Sequence, residues 1–363
     1  MKLSNCIEII SGGTPSTSKS NFWDGDIPWI SIKDFNNSFK YIYKTEKSIT
    51  KQGLEKSSTN MLYKNDIIIS ARGTVGCLAQ IYYPMAFNQS CYGIRTINND
   101  LMQNYLYYWL IANIDKFKKQ THGAVFDTIT KSTFDNIEIN YPSLVMQQHI
   151  VDIIGSIDDK IENNNKIIEK FNKFLKIKTN ELLLYKTKKI QLNDIIEECK
   201  EKTDIELTPY SVVNTGKVII QNEQFNKEIA KNIKGKYKKI KKDFFVYNPS
   251  RINIGSIGMM EDEIGCVSPI YIVFKCGVEY KIYLQQLLTF EFMIKEINKR
   301  CSGSVRQALP FKDLCSIEIY DIERDKLKLY NKYCENIIKT IKKLEEENLK
   351  LQQLKNNYLA KFF

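Results

Sequence analysis

The chain has 363 residues, 43% of them hydrophobic and 12% aromatic, which is ample for packed domains and long for a single core. Its formal net charge of +11 at pH 7 favours a polyanionic partner. No apolar run approaches the ~18–20 residues of a membrane helix, and no apolar leader follows Met1, so a cytoplasmic protein without membrane contact is expected. The nine cysteines, Cys6, Cys77, Cys91, Cys199, Cys266, Cys276, Cys301, Cys315 and Cys334, form no C-x-x-C pair. With only His122 and His149 to add imidazole, reduced thiols and no metal site are expected.

In chain order, residues 1–143 open with "SGGTPSTSKSNFWDGDIPWIS" (11–31) and continue as short apolar strands broken by turns. Trp23-Asp24-Gly25-Asp26, Arg72-Gly73 and Val75-Gly76 mark those turns, and a short helix is expected near 101–118. This reads as a mixed α/β globule rich in antiparallel strand. Pro142 and Ser143 then open a long helix that runs to about Tyr185. A second globule occupies 189–324, and a second long helix runs from about Arg324 to Phe363. The expected domains are therefore 1–143, 144–188, 189–324 and 325–363. The basic excess is spread over all four, so a nucleic-acid partner would have to be held by a local face.

The second half repeats the first. "HGAVFDTITKSTFDNIEI" (122–139) aligns without gaps on "SGSVRQALPFKDLCSIEI" (302–319), and "DIIISARGTVG" (66–76) is like "DFFVYNPSRINIGS" (243–256). "NQSCYGIRTI" (88–97) sits like "VSPIYIVFKC" (267–276), and "YLYYWLI" (105–111) like "YLQQLLT" (283–289). Matches in one order at one offset are stronger evidence than any single match.

Each long helix carries a heptad seam. Ile150, Ile154, Ile157, Ile161, Asn164, Ile168, Phe171, Leu175, Lys178 and Leu182 form one; Tyr330, Cys334, Ile337, Ile341, Leu344, Asn348, Leu351, Lys355, Tyr358 and Phe362 form the other. Pairing Asn164 with Asn348 in antiparallel register matches apolar positions along the whole length. At ~1.5 Å per residue such a rod would be ~60 Å long. The expected fold class is α+β: two repeated mixed α/β domains separated by two long antiparallel coiled-coil helices in a pseudo-two-fold arrangement. That is the geometry of a reader of two half-sites on duplex DNA.

Signatures of catalysis are sparse. There is no G-x-x-x-x-G-K-[ST], no G-x-G-x-x-G after a strand, no G-x-S-x-G and no H-E-x-x-H. "YNPS" (247–250) lacks the second proline and aromatic of an adenine-methyltransferase motif. A site of dispersed Asp, Glu and Lys stays open as an alternative, as does a free-standing DNA-binding regulator.

Together, the opening stretch, the repeat and the helices resemble the specificity subunit of type I restriction–modification systems. "SGGTPSTSKSNFWDGDIPWIS", "DIIISARGTVG", "NQSCYGI" and "YLYYWL" look like blocks of one target recognition domain; "YNPSRINIGSIG", "CVSPIYIVFK" and "SGSVRQALPFKDL" are similar to another type. The first helix keeps the family's "YPSLVMQQHIVDII" start, whereas the second has "YDIERDKLKLYNKYC". The resemblance implies a non-catalytic subunit that binds no cofactor. Two methyltransferase subunits would dock on the helices, bring S-adenosylmethionine and methylate adenine N6 in a bipartite sequence. ATP-dependent restriction subunits would complete the complex, and each globule would read one half of the site in double-stranded DNA.

Base readout calls for Arg, Lys, Asn, Gln and Ser at a groove edge. The candidates in the first globule are Ser31, Lys33, Arg72, Thr74, Asn88 and Gln89, with Lys131 and Ser132 for phosphate. In the second they are Ser250, Arg251, Asn253, Ser268, Arg306, Gln307 and Lys312, with Arg251 in the place of Arg72. The lysine cluster Lys231, Lys234, Lys236, Lys238, Lys239, Lys241 and Lys242 supplies further phosphate candidates, Lys236 and Lys238 among them. Asn164 and Asn348 are the register candidates.

Overall fold

A computed structural model describes residues 1–35, 39–121, 128–221, 234–301 and 308–363. It divides into two units, Met1–Ile168 with Lys342–Phe363, and Glu169–Ile341. Each unit holds one globule and a part of both long helices.

The globule of the first unit is built from strands β1 (Ile7–Ser11), β2 (Trp23–Ile30), β3 (Tyr41–Ile42), β4 (Lys47–Ile49), β5 (Met61–Leu62), β6 (Ile67–Ser70), β7 (Leu78–Ile81), β8 (Met85–Phe87) and β9 (Cys91–Thr96). Helices α1 (Lys51–Glu55), α2 (Gln103–Thr121) and α3 (Lys131–Asp135) complete it, and the long helix α4 is Leu144–Leu182. The strands form two sheets, ordered β1-β9-β6-β7-β3 and β4-β2-β8-β5. Strand β6 shows why three layers form. All four of its residues are buried. Ile67 and Ile69 enter the core beneath α2 and α4 with Tyr105, Tyr108, Phe134 and Ile154, whereas Ile68 enters the core between the sheets with Ile30, Leu62 and Phe87. Successive side chains point to opposite faces of a strand, so an unbroken apolar run belongs where both faces are covered.

In the second unit, β10 (Lys186–Gln191) pairs with β19 (Glu318–Ile322). The main strands are β11 (Ile196–Glu198), β12 (Pro209–Val212), β13 (Val218–Ile220), β14 (Lys238–Lys241), β15 (Phe245–Tyr247), β16 (Ile257–Met259), β17 (Ile264–Val267) and β18 (Ile272–Cys276). Its sheets are ordered β11-β18-β15-β16 and β13-β12-β17-β14. Helices α5 (Lys281–Leu287), α6 (Glu291–Arg300) and α7 (Phe311–Cys315) precede the second long helix, α8 (Arg324–Phe362).

The repeat is a repeat of topology. Strands β1, β9, β6 and β7 correspond to β11, β18, β15 and β16; strands β4, β2, β8 and β5 correspond to β13, β12, β17 and β14. Pair directions agree throughout, including the single parallel pair of the second sheet, β2 with β8 and β12 with β17. Burial parity also agrees, because Phe245 and Tyr247 enter the helix-side core and Val246 the inter-sheet core. Parity, with the left-handed residues Asn65 and Asp243 before the two strands and the matching Ile129–Ala71 and Leu309–Pro249 bonds after them, equates Ile67 with Phe245, and therefore Arg72 with Ser250 and Gly73 with Arg251. The expected match of Arg251 to Arg72 is thus off by one residue. Asp66 and Asp243 look like a common start in the sequence, but the strand faces set the register, and β15 begins one residue later relative to its Asp. Among the described residues β3 has no counterpart.

The long helices run antiparallel within each unit, and the fold is α+β. Near the middle of the seam Asn164 Nδ2 donates to Asn348 Oδ1 at 2.9 Å and to Glu347 Oε2 at 2.9 Å, and Asn348 Nδ2 donates to Asn165 Oδ1 at 2.8 Å. In the second unit the Thr179 and Tyr330 hydroxyls meet at 2.7 Å beside Leu175 and Cys334. In the first, Lys355 Nζ donates to Asp158 Oδ1 at 2.6 Å, and Tyr108 Oη donates to the other oxygen at 2.9 Å. That contact ties α2 of the globule to both long helices.

The start of α4 is held by Gln147, which is fully buried. Its amide donates to Asp100 O at 2.7 Å and Pro142 O at 2.9 Å, and its carbonyl accepts from Met102 N at 2.8 Å. The matching position in α8 is Leu327, equally buried in an apolar cluster. This explains why the second helix dispenses with the Gln-Gln start: apolar packing replaces a polar clamp. Gln147→Ala is expected to lower the stability of the full chain by about 2–3 kcal/mol, because buried backbone groups lose their partners. Urea unfolding measures it, and a loss below about 0.5 kcal/mol would show that water replaces the clamp.

Candidate nucleic-acid interface

Four segments of the first unit converge at one end of its sheets. The loop 71–76 after β6 is closed on Ser70, whose Oγ accepts from Cys77 N at 2.8 Å and whose carbonyl accepts from Gly76 N at 2.9 Å. Ala71 N and Arg72 N share the Ser90 carbonyl at 2.8 and 3.2 Å, which fixes this loop to the 88–90 turn. Ile129 N donates to Ala71 O at 3.0 Å, bringing up the start of α3. Asn88 N donates to Ile30 O at 2.9 Å, bringing up the end of β2. Gly73 has φ +73°, and a Cβ there would stand 3.0 Å from Ile32 Cδ1, so the loop lies against residue 32.

Ser31, Lys33, Arg72, Thr74, Asn88, Gln89, Lys131 and Ser132 all fall on these segments. They are not equally available. Arg72, Thr74, Gln89, Lys131 and Ser132 are exposed. Among the described residues Arg72 makes no ion pair. Lys33 lies 3.7 Å from Glu46, but both side chains are mostly exposed, so that pair is weak. Ser31 is a different case: its hydroxyl donates to Asp34 Oδ2 at 2.8 Å and caps a short helical turn, Ile32–Asp34. Its role is to shape the loop. Asn88 Oδ1 accepts from Ser90 N at 3.1 Å and likewise shapes its turn.

The opening segment reaches the same edge. Gly13 N donates to Phe87 O at 2.9 Å, Gly13 O accepts from Trp29 Nε1 at 3.0 Å, and the Thr14 hydroxyl donates to Gln89 Oε1. The two glycines therefore seat a backbone against β8.

In the second unit the 248–256 loop after β15 is closed on itself. Arg251 N donates to Asn248 O at 3.0 Å, and Ser256 N donates to Arg251 O at 3.2 Å. Leu309 N donates to Pro249 O at 3.1 Å, the counterpart of the Ile129–Ala71 bond, so α7 and its exposed Lys312 stand beside this loop. Ser250 and Arg251 are exposed, Asn253 is half-buried, and Ser268 opens the β17–β18 turn. Arg306 and Gln307 lie outside the described residues, as does Lys231.

Much of the lysine cluster is engaged internally. Lys238 is half-buried and donates to Tyr271 O at 2.7 Å; burial lowers its pKa, with Glu198 pulling the other way. It is not available to phosphate, contrary to expectation, because β14 lies against β17 and turns that side chain inward. Lys239 and Lys241 face Glu201 at 2.9 and 3.7 Å, and Lys242 pairs with Glu263. Lys234 and Lys236 remain exposed. Glu201 and Glu263 stand 38 and 21 residues from Lys239 and Lys242 along the chain, so the lysine run by itself did not reveal these pairs.

The contact that sequence reasoning missed is the buried Asp158–Lys355–Tyr108 network. Lys355 at a seam position was its one visible signal. Lys40 stands over the Tyr107 and Tyr108 rings at 5.5 and 5.0 Å, and burial lowers its pKa while Asp158 opposes the shift. Tyr43 donates to Glu162, which also pairs with Lys166 at 2.6 Å. Together these anchor the globule of the first unit on α4.

The nine cysteines are all free, and burial pushes the Cys91 thiol up to about 12 and that of Cys266 to about 11, which suits core residues and not nucleophiles. Among the described residues no helix is long and apolar enough to cross a membrane. Nor do three or more His, Cys, Asp or Glu residues gather as metal ligands among them.

A family model described as "Type I restriction modification DNA specificity domain" matches residues 1–173. Residues 1–173 are thus similar to that family. The matched stretch takes in the first globule and most of α4. The same part of the chain is similar to the type I restriction enzyme MjaIX specificity subunit of Methanocaldococcus jannaschii, with 34% identity over 178 residues, 47% of this chain and 40% of that one. It is also similar to the HindI specificity subunit of Haemophilus influenzae, with 29% identity over 171 residues, 44% of this chain and 36% of that one. The matched stretches thus span about two-fifths of these relatives. In fold, the whole chain is similar to the crystal structure of a type I restriction-modification S subunit from M. genitalium, with a TM-score of 0.61 and 15% identity over 100% of this chain and 95% of that one.

Proposed function

We propose that this chain is the DNA specificity subunit of a type I restriction–modification complex. The observation that carries the reading is the duplication itself: the sheet topology of the unit that resembles a specificity domain recurs in the second unit, with different side chains on equivalent loops. Each unit reads one half of a bipartite site in double-stranded DNA. The long helices set the spacing and dock two methyltransferase subunits. This chain carries out no chemistry and holds no cofactor. S-adenosylmethionine and the transfer to adenine N6 belong to the methyltransferase subunits, and ATP to restriction subunits.

The test is co-expression of the full chain with its methyltransferase subunit, followed by mapping of methylated adenines. A bipartite motif with an unread spacer supports the proposal; methylation by the chain alone, or DNA binding unaffected by methyltransferase subunits, would overturn it. Four residues inserted at matching positions in α4 and α8 should lengthen the spacer by about two base pairs, because each residue adds ~1.5 Å. An unchanged spacer would sink the idea that the helices act as a ruler.

A further inference from the structure

Six arginines occur in the chain: Arg72, Arg95, Arg251, Arg300, Arg306 and Arg324. Arginine is the side chain best suited to read guanine, because its fork matches the O6 and N7 acceptors in the major groove. In the first unit there are only two. Arg95 is engaged from β9: its Nε and Nη2 donate to Asp66 at 2.9 and 2.6 Å, and its Nη1 lies 3.2 Å from Glu8. That pairing holds its pKa above the usual arginine value. Arg72 alone is left. It is exposed, its backbone amide is fixed on Ser90 O, and no carboxylate among the described residues claims it.

In the second unit Arg300 is likewise engaged, by Glu296 and by Ser316 Oγ at 3.0 Å. Arg324 is the first residue of the long helix α8. Arg251 sits in the loop equivalent to that of Arg72. It is exposed, has both its amide and its carbonyl in backbone hydrogen bonds, and has no ion pair among the described residues. Arg306 lies outside those residues. Among the described residues each unit therefore presents one clamped, unpaired arginine from the loop that follows its β6 or β15 strand.

We infer that Arg72 and Arg251 are guanine-reading residues, so that each half of the recognised site contains a G·C pair contacted by one of them. The inference rests on the proposed function. Lysines at the same edge supply phosphate contacts, which position the protein and carry no sequence information. In the first unit Arg72 is the only arginine left for base readout, so its half-site has a single G·C pair read in this way.

The experiment is motif mapping by adenine methylation. The full chain and its methyltransferase subunit act on a random duplex library, with wild type, Arg72→Ala, Arg72→Lys and Arg251→Ala compared. Circular dichroism melting checks that each variant folds. Arg72→Ala should relax one G·C position in one half-site by about 10-fold or more, the range of one bidentate contact, and leave the other half-site unchanged. Arg251→Ala should do the converse. Arg72→Lys should keep most of the affinity and lose most of the discrimination. The assignment is overturned if the half-site has no G·C pair, or if Arg72→Ala weakens all sequences equally and lowers the salt dependence, the mark of a phosphate contact. Either result leaves a bipartite motif and the specificity-subunit reading intact. Absence of any bipartite motif in the wild type would instead overturn that reading, and the inference with it.

Discussion

Asp158→Ala is expected to destabilise the first unit by about 3–5 kcal/mol, the cost of breaking a buried ion pair on one side. The carboxylate accepts from Lys355 Nζ and Tyr108 Oη, and the Lys355 and Asp158 side chains are only 11% and 10% exposed. Its loss leaves an ammonium and a hydroxyl buried without a partner, close to the second cation of Lys40. Removing both charges is a different matter. Asp158→Leu with Lys355→Met should recover most of the loss, because an apolar pair avoids the desolvation cost that the ion pair carries, and leave about 1–3 kcal/mol for the Tyr108 hydroxyl that loses its acceptor. Urea unfolding of the three chains separates these effects. A single-variant cost below about 1 kcal/mol would mean that water reaches the site. The double variant is informative in a second way. If it is stable yet its complex with methyltransferase subunits methylates with a blurred spacer, the ion pair serves register, as polar seam residues do elsewhere.

Gly12→Ala and Gly13→Ala are expected to cost about 3 kcal/mol each, at the upper end of overpacking substitutions. A Cβ at Gly12 would fall 2.2 Å from Asn88 O and 2.6 Å from Phe87 Cδ2; at Gly13 it would fall 2.4 Å from Thr59 N and 2.4 Å from Ser58 Oγ. Backbone atoms cannot step aside as a flexible side chain can. The segment would have to lift off β8, breaking the Gly13–Phe87 and Trp29–Gly13 bonds and freeing Thr14 from Gln89. The readout is a lower melting temperature together with weaker discrimination in one half-site only. A normal melting temperature would show that the seat against β8 is loose; equal loss at both half-sites would argue against separate readers.

Several features of the molecule are periodic or repetitive along the chain, and these were legible without coordinates. The heptads from Ile150 to Leu182 and from Tyr330 to Phe362 define the paired helices, and their antiparallel match follows from where the two asparagines fall. "NIEI" and "SIEI" mark the repeat, and Ile137, Ile139, Ile317 and Ile319 are indeed all buried.

The candidate site was only partly legible. Sequence placed Arg72, Gln89 and Lys131 as candidates, and the fold brings their loops together through Ser90 O and Ala71 O, backbone groups that no motif encodes. It could not tell a working Ser31 or Lys238 from a structural one, because Asp34 and Tyr271 decide that through contacts in space. The one-residue offset between Arg72 and Arg251 likewise depends on which face each strand residue buries. Composition, period and repetition are properties of neighbours along the chain, so the amino-acid sequence alone determined the two repeats, the two helices and their register. Which polar side chain stays free at the surface depends on partners far away in sequence, so only the tertiary structure decided which arginines are held by carboxylates and which stay exposed.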